Sequence, residues 1–197
     1  LTNMYTLYDA PLPGLPLPGG GEPDGHGAAT AGNPSMDDTV EVTLWQYQAD
    51  GTQVIVDGPV AVPPGETHAF ELVEPWMRNS ALRSGGAYRL ESSGPVVAYQ
   101  HSPKVAQYDN DSSLLLPDHV LGRRFVIASY RPNIDGAPSY FNVVATQDGT
   151  TVDWTPPVGT AGSGTVPPVA AGETGSVTMM AGDTLQVNGH NDLSGTI

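Results

Sequence analysis

The 197-residue chain carries 21 acidic against 7 basic residues, a formal net charge of −14, and it has no cysteine. That balance argues against nucleic acid and anionic membrane surfaces, which demand a basic footprint, while it is compatible with divalent cations or basic partners; without thiols there is no disulfide framework and no thiolate metal site. With 24 Gly and 19 Pro the composition is one of turns and strands, enough for one large or two small domains, and no apolar run approaches the ~20 residues of a membrane span.

In chain order, Thr2 to Tyr8 alternates weakly and reads as a strand. From Asp9 to Asp38 Pro-Gly punctuation (Pro11-Leu12-Pro13-Gly14, Gly19-Gly20-Gly21) predicts a long connector outside regular structure. From Val40 the period becomes two, with Val40, Val42 and Leu44 on one face, and Asp50-Gly51 supplies a tight hairpin turn. Pro64-Gly65 fits the centre of a type II turn leading into a strand whose inward set is His68, Phe70 and Leu72. Glu74 to Arg83 is the one plausible helix, with Pro75 at its first position and Gly85-Gly86 as its stop. Further strands are expected at Tyr88–Leu90, Val96–Tyr99, Phe125–Tyr130, Tyr140–Thr146, Thr151–Thr155, Thr174–Met179 and Thr184–Val187, with turn signals at Asp148-Gly149 and Asn188-Gly189.

Two stretches run in parallel about 100 residues apart, a spacing too long for a solenoid unit and suited to a small β-domain used twice. Val40–Leu44, Asp50-Gly51-Thr52-Gln53-Val54, Gly65-Glu66-Thr67 and Phe70-Glu71-Leu72 match Phe141–Ala145, Asp148-Gly149-Thr150-Thr151-Val152, Gly172-Glu173-Thr174 and Ser176-Val177-Thr178. The expected fold is therefore all-β, as tandem β-sandwich-like units of antiparallel strands, with a β-propeller-like arrangement as the alternative. The divisions are an N-terminal strand and Pro/Gly-rich loop over 1–35, a first β unit over 36–117, and a second over 118–197. The second stops in mid-pattern at Ile197, which suggests an incomplete unit and a fragment of a longer protein.

Chemistry-bearing patterns are sparse. His26, His68, His101, His119 and His190 lack the spacing that brings imidazoles onto one zinc, and there is no Gly-x-Ser-x-Gly elbow. Glycosidase-type carboxylate pairs meet in space, and nothing in the sequence selects one. The best local candidate is Asp109-Asn110-Asp111-Ser112-Ser113, where an Asp-x-Asp-x-Ser spacing turns Asp109, Asp111 and Ser113 toward a calcium ion. The competing reading is that these groups cap backbone donors in a turn before Leu114.

Ser93-Gly94-Pro95-Val96-Val97-Ala98-Tyr99, Asp111-Ser112-Ser113-Leu114-Leu115-Leu116-Pro117, Leu121-Gly122, Phe125–Tyr130, Phe141–Ala145, Thr150-Thr151-Val152 and Asp192-Leu193-Ser194-Gly195-Thr196 occur in one order. That order resembles the IgG Fc-binding-protein N-terminal domain family over roughly Met36 to Ile197. Members of the family occur in a mucus glycoprotein of animals and in many bacterial surface proteins, often myxobacterial lipoproteins, and the resemblance implies a bacterial, myxobacterial-type origin here. They continue past the Ser-Gly-Thr segment, which agrees with truncation. The resemblance implies an extracellular or cell-surface location, lipid-anchored in some members, and a non-enzymatic adhesion or binding role for a protein or glycan ligand.

A structural spacer or self-assembling component is the alternative reading, and a hydrolase with a hidden pocket the third. No nucleic acid partner, no membrane insertion of this segment and no cofactor other than calcium are expected. If recognition resides in loops between strands (103–111, 131–139 and 156–168), Tyr108, Tyr130 and Tyr140 are the aromatic anchors, Tyr130 and Tyr140 having a core role as their other reading.

Overall fold

The computed structural model describes residues 2–3, 27–72, 79–102, 111–131, 138–189 and 191–197. Fourteen strands occur among them: β1 (Thr2–Asn3), β2 (Gly27–Gly32), β3 (Val40–Tyr47), β4 (Gln53–Val62), β5 (Thr67–Leu72), β6 (Ala81–Arg83), β7 (Tyr88–Ser92), β8 (Val97–Ser102), β9 (Asp111–Leu114), β10 (Ser139–Val144), β11 (Thr150–Trp154), β12 (Thr160–Ala161), β13 (Gly175–Met179) and β14 (Thr184–Gly189). A short 3₁₀ turn spans Asp118–Val120. The fold is all-β and β-sandwich-like, every strand pair is antiparallel, and no sheet closes into a barrel.

In the first half of the chain, a sheet ordered β1-β7-β3-β4 faces a sheet ordered β5-β2-β8-β9. Between them lie Val40, Val42 and Leu44 of β3, Phe70 and Leu72 of β5, Tyr88 and Leu90 of β7, and the small Ala29, Ala31 and Ala98. In the second half, β14 lies between β10 on one side and β6 with β12 on the other, opposite the pair β11-β13. Trp154, Val177, Met179, Leu185, Val187, Phe141 and Leu193 fill that interior.

The period-two segments fold as expected because alternation puts one face of each strand on a core. Gly51 takes φ +83° in the β3–β4 connection. The type II turn at Pro64-Gly65 is closed by Glu66 N–H donating to Pro63 O at 3.1 Å, with Gly65 at φ +72°. Phe70 and Leu72 are inward, and His68 sits half-buried with its ring edge-on to Phe70 at 4.6 Å.

Four expectations fail. The stretch from Asp9 to Asp38 is not wholly irregular, because Gly27–Gly32 forms β2, the strand between β5 and β8. Apart from Thr30 its residues are alanine and glycine, so burial on the sheet leaves no periodic trace in sequence. The helix at Glu74–Arg83 is contradicted over Ala81–Arg83, which pairs with Thr184–Gln186, while residues 73–78 lie outside the described residues. Backbone pairing to β14 there replaces internal helical bonds. Asn188-Gly189 is not a turn but the end of β14, opposite Tyr140 and Ser139. Glycine there serves close approach, since a Cβ would fall 2.8 Å from Leu193 Cδ2. Finally, Phe125–Tyr130 is not a strand; it is tied instead at Ile127, whose N–H donates to Thr196 O at 2.9 Å.

The paralleled stretches agree in part. β3 pairs with β7 as β10 pairs with β14, and Glu173 N–H donates to Ala170 O at 3.1 Å as Glu66 does to Pro63 O. The inward residues after those turns are Phe70 and Leu72, and Val177 and Met179, which shifts the alignment of Phe70 with Ser176 by one position. In contrast, β4 pairs with β3, whereas β11 leaves β10 and pairs with β13.

The two halves are joined through residues 79–87. Beyond the β6–β14 pairing, Asn188 N–H donates to Ser80 Oγ at 2.9 Å and Gln186 Nε2 to Asn79 O at 3.1 Å. Gly85 N–H donates to Asp183 Oδ1 at 3.0 Å, and Ala87 N–H to Gly182 O at 3.3 Å.

Candidate functional site

The residues nominated from sequence fall in different places. Tyr108 and Asp109 lie outside the described residues. Asp111 and Ser113 belong to a paired strand rather than a turn, opposite Ser102 and Gln100. Tyr140, half-buried on β10 opposite Asn188, alternates with inward Ser139 and Phe141, and its carbonyl accepts from Ser129 Oγ at 3.4 Å. Tyr130 is different: its side chain is 87% exposed.

Tyr130 stands on a segment that presents most of its side chains to solvent. Phe125 and Val126 are 59% and 72% exposed, and Arg123, Arg124 and Arg131 flank them. The segment is held from behind. Gly195 N–H donates to Ile127 O at 2.8 Å, Ser129 N–H to Ser194 Oγ at 3.0 Å, and Ser194 Oγ to Ser129 O at 3.0 Å. Ser129 Oγ also meets Ser139 Oγ at 2.6 Å. Ile127 turns toward the second core, as a partly buried residue packed against it, while its neighbours Val126 and Ala128 are exposed. Three arginines within nine positions form a local cationic surface on a chain with 7 basic residues in all.

The carboxylates of Asp148 and Asp183 come to one turn, a juxtaposition that sequence reasoning missed. Asp148 Oδ1 accepts from Ala181 N–H at 3.0 Å, and Asp183 Oδ2 from Met180 N–H at 2.8 Å. Backbone donors occupy both, so the pair fixes the turn between β13 and β14. Two exposed carboxyls, Asp50 and Asp192, are held below their ordinary 3.8 chiefly by hydrogen bonds from the side chains of Thr52 and Ser194. Burial lowers the Arg83 guanidinium. His101 Nε2 and Thr30 Oγ1 are 3.2 Å apart, His119 is exposed, and His26 and His190 lie outside the described residues. No group of three or more His, Asp or Glu suited to a metal ion occurs among the described residues. A shallow groove of about 330 Å³ lies along Val62, Pro63, Pro64, Glu66 and His68. No helix among the described residues is long and apolar enough to cross a membrane.

In comparisons with known proteins, residues 111–197 match a family model described as IgGFc binding protein. The matched stretch contains the Arg-flanked segment and the whole second core. No curated protein and no solved structure matches the chain.

Proposed function

We propose that the chain is an extracellular binding module, without catalytic activity, that engages a protein ligand through the Arg123–Arg131 segment. The observation that supports this reading is the exposure of Tyr130, Phe125 and Val126 among three arginines. Aromatic and Arg side chains are the residue types that dominate binding energy at interfaces. Their charge favours an acidic patch on the partner, and the pairing to residues 194–196 orders the backbone before binding, which lowers the entropy cost. The similarity to the IgGFc binding family supports a protein ligand and an extracellular setting. Adhesion at a cell surface is the use this reading assigns to the module.

Immobilised immunoglobulin Fc and an acidic mucin are the first two probes. Saturable binding that falls at least about tenfold on Tyr130→Ala, and falls again with Arg124→Glu, is expected. The reading fails if neither probe binds, or if both variants bind as the unchanged chain does. Turnover of glycan, ester or peptide substrates, abolished by one carboxylate or serine substitution in a folded variant, would overturn the non-catalytic part.

A further inference from the structure

A hydroxyl shut away from water must find its partners within the protein, and each hydroxyl has one proton to give. Ser139, the first residue of β10, is 3% exposed. Its Oγ accepts from the N–H of the fully buried Leu193 at 3.3 Å and lies 2.6 Å from the Oγ of Ser129, ten positions earlier. Ser129 Oγ also lies 3.4 Å from Tyr140 O.

These contacts fix the direction of the shared proton. Were Ser129 to donate to Ser139, the Ser139 proton would be left without an acceptor where water does not reach. With Ser139 as the donor, the Ser129 proton is free for Tyr140 O and each hydroxyl is paired. The bonds therefore run one way, from Leu193 N–H through Ser139 and Ser129 to Tyr140 O.

The Arg123–Arg131 segment thus has two inner anchors. In its middle, Ile127 packs against the second core and its N–H donates to Thr196 O. Toward Tyr130, the N–H and C=O of Ser129 are both held by the hydroxyl of the exposed Ser194, and the Ser129 side chain leads inward to Ser139. We infer that Ser139 is a positioning residue for this surface, tying Ser129, and with it the backbone that carries Tyr130, to the second core at Leu193. The inference rests on the reading of this surface as the binding site. Ordering the backbone behind Tyr130 in the free chain spares the partner that cost on binding.

The test begins with amide hydrogen exchange of the free chain, followed residue by residue by NMR. Ser139→Ala is expected to speed exchange at Ser129 N–H by at least about tenfold while Ile127 N–H, held by the other anchor, stays protected. Val177→Ala truncates the same core away from these hydroxyls and should not single out Ser129. Equal acceleration at Ser129 and Ile127, or the same pattern in Val177→Ala, would overturn the inference. Binding to immobilised immunoglobulin Fc and to an acidic mucin is the second arm. Ser139→Ala should weaken it by about fivefold, and the loss should disappear in a Tyr130→Ala background, since the two residues act through one contact. A loss that persists undiminished in that background would reject the positioning role. If neither probe binds the unchanged chain, the reading of the surface fails, and the exchange pattern alone decides whether Ser139 orders Ser129. Should Ser139→Ala not fold, Ser129→Ala removes the same link and leaves Leu193 N–H its acceptor.

Discussion

Residues 48–52 and 146–149 each carry an Asp-Gly turn, and the two turns lead to different places. At the first, Asp50 Oδ1 accepts from Thr52 N–H at 2.9 Å and from its hydroxyl at 2.6 Å, the bond closes on itself, and β3 and β4 stay paired. At the second, Asp148 Oδ1 accepts from Ala181 N–H, and β11 passes into the opposite sheet to pair with β13. The dipeptide sets the positive φ of its glycine in both cases, +83° at Gly51 and +72° at Gly149. Where the carboxylate finds its donors accompanies the choice between hairpin and crossover. The crossover carries Trp154 into the second core, against Gly175, where a Cβ would fall 2.5 Å from the indole.

The largest test asks whether the two cores are energetically separate. Phe70→Ala and Trp154→Ala each delete a fully buried ring and should cost about 3–5 kcal/mol. Since the 79–87 arm joins the halves, both variants should lower one common melting transition. Two resolved transitions, each moved by one variant alone, would show that the arm does not couple them. Next in size is Gly182→Ala. Gly182 has φ +81° and a Cβ there would run into the Tyr47 ring, so strain and overpacking together should cost about 3 kcal/mol. Unchanged denaturant midpoints would mean that the contact between the halves yields freely.

Asp148→Ala sharpens the comparison of turns. Losing one charge-assisted bond at an exposed site should cost about 1 kcal/mol, more than Asp50→Ala, whose bonds are local and fully exposed. Equal losses in urea denaturation would remove the distinction between the two carboxylates. The smallest effect is acid titration. The folded pKa of Asp50 and of Asp192 lies below 3.8, so the unfolded chain binds more protons in that range. Their stabilising contribution is complete above 3.8 and is lost as pH falls through the lower folded value. Thr52→Val and Ser194→Ala should raise the respective carboxyl pKa by NMR titration; no rise would reject hydrogen bonding as the cause.

The sequence disclosed those parts of the fold in which side-chain alternation and turn chemistry act locally. β3, β5, β10, β11, β13 and the turn at Pro64-Gly65 are of this kind. β2 was hidden because alanine is equally at home buried or exposed, and β6 because a proline and a paired glycine mimic helix ends while the strand's partner residues lie 101 to 105 positions away. At the site, Tyr130 could be nominated as an aromatic residue beside a turn-rich stretch. Its neighbours Phe125 and Val126 looked like ordinary strand residues, and their exposure depends on pairing with residues 194–196. The signal available in sequence was the clustering of Arg123, Arg124 and Arg131 in an acidic chain.

The place of β2 also imposes an order in time. Thr30 lies beside Tyr99, 69 positions later, so the sheet that holds both cannot close until the ribosome has delivered the later strand. At roughly 5–20 residues per second that is a wait on the order of several seconds. A nascent strand of leucine or valine would spend the interval as a sticky surface open to other chains. Gly-Ala-Ala-Thr-Ala-Gly exposes little apolar area while it waits, and the bulk that fills the interior afterwards comes from Leu44, Phe70 and Tyr88.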